Sequence, residues 1–459
     1  MKIEELPGIP KIWIDFLNGR LAVLPAPLTV SALASHAGAI RDRVARNRDF
    51  IRNLSRGEPD GSQRLLQPGS FAVIANLEPG LFGGPVCQIL KCLTALRLCE
   101  ELEAHGVPAV PIGWLGGSPC WSATLVDPDG RICSLALSPC HTLPPGEISR
   151  LLLEIGQLGR ESYDPEFLEM LAAAFSPGNS LAAACANLFS ALLNEWGMIV
   201  IDPGSPHHGP AIADALSRLQ TRASGMGRIE PLVKKTAGSL AAKGYSEPPP
   251  GEAIPVSLLQ SSVLPVLAFV ADPVEIFPLA LALPVMDALL LARPMVWPQA
   301  SATIGDSKAR RTIDRYGLTL HELYLGPDEL MRRIGSSFPR HAPGALRELK
   351  SFVEARISAV ESMFPPEGGF SGPADDCRAR IGYQVEKLRT HFESALERKE
   401  ETARRRFRKT CNWLAPNGRL QQTELSGIQI PLSHSRTGLQ SIYKTLDISK
   451  FEHQLIWMN

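Results

Sequence analysis

Two carboxylates three residues apart, Asp272 and Glu275, follow the apolar run "VLPVLAFVA". An acid pair just beyond a strand can hold an ammonium ion, and Asp-x-x-Glu can equally cap the helix that follows. The sequence leaves both open. A second candidate is "ANLEPGLFGGP", residues 75–85, where Asn76 offers an amide and Gly80, Gly83 and Gly84 precede a helical pattern. Free N–H groups in such a turn can cradle an anion, while glycines there also allow close packing. The loop has neither the dinucleotide fingerprint nor a Walker spacing. Lys91 follows as a cation that either meets the same ligand or faces solvent.

A third candidate is "GWLGGSPCWS", in which Gly117 and Ser118 end a buried run and Cys120 follows. The thiol could act as a nucleophile, but no base stands beside it in the chain, and a packed loop thiol explains it as well. Gln299 and Ser301 in "VWPQAS" place an amide and a hydroxyl at the end of another strand-like run. His207 and His208 are adjacent in "GSPHHGP" without a convincing third ligand, so they read as a surface loop and no metal site is expected. Near the end of a long helical pattern, Arg404, Arg405 and Arg408 belong to a basic run that either suits the helix dipole or receives a phosphate-bearing ligand.

Elements must position these groups. "FAVIANLEPGLFGGP" gives strand and glycine loop, "VCQILKCLTALRLCEELEAHG" an amphipathic helix closed by Gly106, and "VPAVPIGWL" a second strand. Strand, loop, helix and strand make one βαβ unit, whose natural setting is a parallel sheet. Further strands are expected within 197–206, 264–271 and 292–301, with helices over about 33–54 and 164–195. Ligands of open parallel sheets bind beyond the strands' carboxyl ends, which singles out the loops at 76–85, 116–122 and 271–275. Ile381, Val385, Leu388, Phe392 and Ala395 recur at four and three spacing, a coiled-coil seam within 378–414.

The expected organisation is an N-terminal helical segment (1–65), a Rossmann-like α/β core with helical insertions and a flexible 227–253 segment (66–340), a helical coiled coil (341–415), and a C-terminal segment returning to the core (416–459). A chain of 459 residues is too long for one ordinary core. Its 47 basic and 47 acidic residues cancel, so net charge argues for neither nucleic acid nor membrane. The most apolar stretch, 261–292, carries Asp272, Glu275, Asp287 and four prolines, which disfavours a membrane span. Nine cysteines without CxxC spacing suggest reduced thiols, and with acids and prolines at the start a cytoplasmic protein is expected.

The quoted passages also resemble the bacillithiol biosynthesis cysteine-adding enzyme family, the cysteine ligases, over nearly the whole chain. "FAVIANLEPGLFGGP" through "IGWLGG", "SLLQSSVLPVLAFVADPVEIFPLA", "VWPQASATIGD", "LAPNGRLQQ" and "FEHQLIWM" match in order. The resemblance implies a Rossmann-like core, a coiled coil that dimerises, and joining of cysteine's carboxyl to the amine of glucosaminyl malate. It also implies an adenine nucleotide on the coiled-coil side, for which Arg404, Arg405 and Arg408 are candidates. The candidate substrate contacts are Asn76, Gly80, Gly83, Gly84, Lys91, Gly117, Ser118, Gln299 and Ser301, of which Gly80, Gly84 and Lys91 keep the family's pattern, and the candidate reactive groups, chosen on their own chemistry, are Asp272, Glu275 and Cys120. The chain departs from the family where an acid-acid-histidine-acid-aromatic run becomes Ser118-Pro119-Cys120-Trp121-Ser122. Further departures put Ala75-Asn76-Leu77-Glu78 in place of Thr-Gly-Gln-Gln and Asp272 in place of glycine. A non-catalytic relative acting as a scaffold through its coiled coil is the alternative.

Overall fold

The computed structural model describes residues 1–26, 29–54, 59–159, 162–224, 229–245, 253–335, 342–363, 369 and 371–458. They form two compact units, Met1–Ser307 with Arg419–Asn459, and Lys308–Gly418.

The first unit is built on β1 (Phe71–Leu77), β2 (Ala109–Leu115), β5 (Ile199–Ile201), β6 (Val266–Ala271) and β7 (Met295–Pro298). They pair in parallel in the order β5-β2-β1-β6-β7. β1, β2 and β6 are buried at nearly every position, as a parallel sheet covered on both faces requires. Each Leu, Ile or Phe so enclosed contributes roughly 1.5–3 kcal/mol against exposure. Register aligns the strand ends: Leu77 pairs with Leu115, and Ala271 with Pro298. The three expected loops therefore leave one edge of the sheet together.

The Val86–Ala104 helix crosses from β1 to β2 and is buried around most of its circumference, including Gln88, Lys91 and Thr94. The expected amphipathic pattern thus becomes a central helix. Two small sheets complete the unit. β3 (Ser122–Val126) and β4 (Ile132–Ala136) form a hairpin, while β8 (Ser301–Gly305) and β9 (His453–Trp457) pair in parallel.

Three expected stretches differ. The helix expected over 33–54 divides into Val30–Ile40 and Arg48–Leu54, because the Asn47 side chain accepts the Phe50 N–H and caps a new start. The helix expected over 164–195 divides into Pro165–Ala174 and Leu181–Leu193; Gly178 turns at φ 87° and Ser180 caps the second part. Within 227–253, Ile229–Ala242 is helical; residues 227–228 and 246–252 lie outside the described residues. The helix holds Pro231 in its first turn, where a missing N–H is tolerated, and Gly238 within it, so neither residue marks a linker here.

The second unit carries the Ala342–Glu361 helix and the Ser371–Leu414 helix, about 66 Å long at 1.5 Å per residue. They run antiparallel: Arg378 pairs with Glu361, and Lys350 lies beside Gly382. Toward its carboxyl end the longer helix buries Ala403, Phe407, Cys411 and Leu414, with Tyr316 packed edge-on against Phe407 at 4.7 Å. Its seam is more open elsewhere, and Leu388 and Tyr383 are exposed. Among the described residues no helix is long and apolar enough to cross a membrane.

Candidate functional site

Lys91 is the centre of the strand-end cluster. Its Nζ donates to Asp272 Oδ2 and Glu275 Oε2, both at 2.8 Å, and to the Asn76 carbonyl at 3.0 Å. The helix start after the glycine loop places Lys91 under the end of β1, while β6 delivers the two acids. At 1% exposure the lysine is neither a surface residue nor a free anion-binding cation. Burial opposes its charge, and the two carboxylates more than reverse this, so the ammonium is held above its ordinary range. Burial pushes the Glu275 carboxyl upward, with Lys91 pulling the other way.

The acid pair also ties together the turn that leads from β6 into the next helix, without capping that helix. Asp272 Oδ1 accepts the N–H groups of Val274 and Glu275, and Glu275 Oε2 accepts that of Asp272. Of the two roles left open by the sequence, the structure has the ammonium holding, with the ammonium supplied by the protein, while the helix at Ile276 starts without a side-chain cap.

The glycine loop is closed on itself. Gly80 N–H donates to Cys185 Sγ, Leu81 to the Cys120 carbonyl, Gly83 to Gly80, and Gly84 to Leu81. A Cβ on Gly80 would stand 2.5 Å from Gly84 Cα, and one on Gly83 would stand 2.9 Å from Leu188. Close approach explains these glycines, and their amides are committed within the protein. Cys120 joins this construction through its backbone, donating to the Pro79 carbonyl at 2.8 Å, while its thiol lies near Ser122. Gly117, at φ 89°, and Ser118 are exposed at the rim. Ser118–Ser122 brings no ionisable group except the Cys120 thiol.

Other expected residues separate. Gln299 N–H donates to the Ala271 carbonyl, so it stands beside Asp272. Ser301 faces inward instead, bonded to Gln422 and His453 Nδ1 at 2.7 Å, a tie between β8 and β9. His208 is half-buried and held by Ser205 Oγ and the Asp202 carbonyl, and burial lowers its affinity for a proton. In the second unit a cavity of about 480 Å³ is lined by Arg315, Tyr316, Arg398, Lys399, Thr402 and Arg406 among others. Arg404 and Arg405 are exposed and Arg408 is half-buried; of this basic run it is Arg406 that lines the cavity.

Three neighbours are additional to the sequence-based set. Gln260, fully buried, donates to Asn76 Oδ1 at 2.7 Å; its signal was one long polar side chain within an apolar run. Gln88 accepts the Glu78 N–H at 3.2 Å. Glu78 follows β1 directly, and its Oε1 is 3.7 Å from where a Cβ on Gly117 would stand. Partial burial of this exposed residue's carboxyl, then the nearby Asp272 charge, raises its proton affinity, with Lys91 working the other way. Cys87, between these acids, is pushed up to about 12 by burial and by Asp272. The cluster thus sets three carboxylates against one ammonium.

Residues 302–458 match the family described as "Bacillithiol biosynthesis BshC, C-terminal coiled-coil domain". Similarity to proteins named "Putative cysteine ligase BshC" extends further. The one from Solibacter usitatus is 24% identical, with 99% of this chain and 98% of that protein covered. The one from Koribacter versatilis is 22% identical over 92% of each, and that of Salinibacter ruber 22% over 86% and 84%. At the level of family, the chain matches BshC at low identity, as a divergent relative of those proteins would.

Proposed function

We propose that the strand-end cleft of the first unit forms an amide, joining the carboxyl of L-cysteine to the amine of glucosaminyl malate. The observation that carries this is the convergence of Asn76, Lys91, Asp272 and Glu275 at the aligned ends of β1 and β6, in a chain similar to cysteine ligases over nearly its full length. In the proposed reaction, Lys91 fixes the two acids, and the exposed rim at Glu78, Gly117 and Ser118 admits substrate. The closed glycine loop shapes the cleft wall and offers no anion cradle. A nucleotide that activates the carboxyl would find four cations in the second unit's cavity, Arg315, Arg398, Lys399 and Arg406. The exposed apolar residues on the helical hairpin, Phe352, Tyr383 and Leu388, support pairing of two copies.

A second reading is a non-catalytic relative that binds partners through this hairpin. The observation favouring it is the absence of carboxylate and imidazole from Ser118–Ser122. One experiment separates the two. Purified protein supplied with L-cysteine, glucosaminyl malate and ATP is expected to yield bacillithiol by mass spectrometry. No product with any nucleotide, in a strain whose thiol content survives deletion of this gene, would overturn the ligase reading.

A further inference from the structure

The cleft contains one carboxylate that the protein does not use. Asp272 and Glu275 are engaged by Lys91 and by backbone amides. Glu78 has no hydrogen-bond or ion-pair partner for its carboxylate among the described residues, although it extends from the central strand toward the rim of the neighbouring loop. It is exposed, so a ligand can reach it. Its side chain lies against Gly117, immediately before the stretch Ser118–Ser122 that lacks acids and histidines.

We propose that Glu78 receives the ammonium group of the incoming amine and takes its proton, acting as the general base of the cleft. This rests on the amide-forming reading above. One N–H bond of the ammonium breaks, its electron pair stays on nitrogen, and the proton goes to a Glu78 carboxylate oxygen. The products are a neutral amine, ready to attack an activated acyl group, and a neutral carboxylic acid. The net charge of the pair is zero before and after, so the transfer creates no new charge at the mouth of the cleft.

Two further features fit that role. Partial burial favours the neutral form of Glu78, and neutralising it also relieves its repulsion with Asp272, so this carboxylate accepts a proton more readily than an ordinary glutamate. Two buried amide oxygens at the same strand ends, Gln260 Oε1 and Gln299 Oε1, have no donor among the described residues. The surroundings are rich in acceptors, which suits a ligand carrying amine and hydroxyl donors. The base is thus supplied by β1, one strand over from the loop where the resemblance places the family's ionisable run.

The test uses the full chain with Glu78→Gln and Glu78→Asp. Binding of the amine substrate and of its N-acetylated form is measured by calorimetry, and turnover is followed across pH. The expected result is amine binding weakened at least tenfold in Glu78→Gln, with binding of the acetylated form unchanged. The turnover number should fall on the order of 10²-fold or more and its acidic limb should disappear, with partial recovery in Glu78→Asp. A Glu78→Gln protein within twofold of the parent in binding and turnover, with the same pH profile, would overturn the proposal and leave the ligase reading standing. A parent protein that neither binds the amine nor forms product would overturn both.

Discussion

Replacing Lys91 by methionine removes the charge at the centre of the cleft while keeping an unbranched side chain of similar length. Lys91 is 1% exposed, and the Asp272 and Glu275 side chains are 15% and 17% exposed. Removing one partner from such a network leaves buried carboxylates without a counter-ion, at a cost of about 3–5 kcal/mol. At 1.4 kcal/mol per factor of ten, local opening of β1 and β6 should become at least a hundredfold more frequent. Hydrogen exchange of peptides covering Phe71–Leu77 and Val266–Ala271 reads this directly. The effect should depend on pH with a definite sign. Without Lys91 the chief offset to the burial that pushes the Glu275 carboxyl upward is gone, so at neutral pH the unfolded chain holds fewer protons than the folded one. The deficit therefore grows as pH rises through neutrality and vanishes as pH falls below about 4, where this carboxyl is protonated in either state. Adding Asp272→Asn and Glu275→Gln to Lys91→Met should recover most of the loss, since a neutral trio needs no counter-ion. Unchanged protection in Lys91→Met at neutral pH would refute the claim that this ion network holds the strand ends together.

His453, buried between Ser301 and Thr303, is pushed down to about 4 by burial and by the Met1 ammonium. Its unfolded form takes a proton first, so stability should be full above about pH 6.5 and decline toward pH 4, by up to roughly 3 kcal/mol; a stability profile that His453→Gln does not flatten would contradict this. Gly80→Ala should destabilise by about 1–3 kcal/mol, because its Cβ meets the Gly84 backbone, whereas Gly156→Ala, with open space around it in a helix, should be neutral or stabilising; thermal melts compare them. Alkylation at pH 7.5 should label exposed Cys377 and leave Cys92 and Cys185, both pushed up to about 12 by burial, unmodified until unfolding. Rapid labelling of Cys185 in the native protein would show that the loop anchored on it opens.

The βαβ frame was legible because its signals are local: an apolar run, a glycine turn, and a helix closed by Gly106. The broken helices were less so, since Asn47 and Ser180 are ordinary polar residues until their side chains cap an amide. The cleft's logic was hidden by distance. Lys91 and its acids are 181 and 184 residues apart in the chain, and nothing local distinguishes a neutralised lysine from a surface one. Gly80, Gly83 and Gly84 suggested an anion cradle because free amides are the default before a helix. Gly83 and Gly84 bond within the loop, and the acceptors that close it, Cys185 for Gly80 and the Cys120 carbonyl for Leu81, lie in distant segments. Glu78 sat in plain view as a departure from the family pattern, and only its nearness to Gly117 and Asp272 gives that departure chemical meaning.

The pairing of β9 with β8 sets an order on how this polypeptide can mature. Residues 301–305 and 453–457 are partners, yet the whole of the second unit, Lys308–Gly418, is synthesised between them. A ribosome delivers the helical hairpin while β8 still lacks its neighbour and the hydroxyls of Ser301 and Thr303 still lack His453. The inserted unit can therefore begin to fold before the sheet-bearing unit is covalently complete. Deleting His453–Trp457 would uncover an interior edge 150 residues upstream, so this late strand is a closing part of the α/β unit and an unsuitable place for a short deletion.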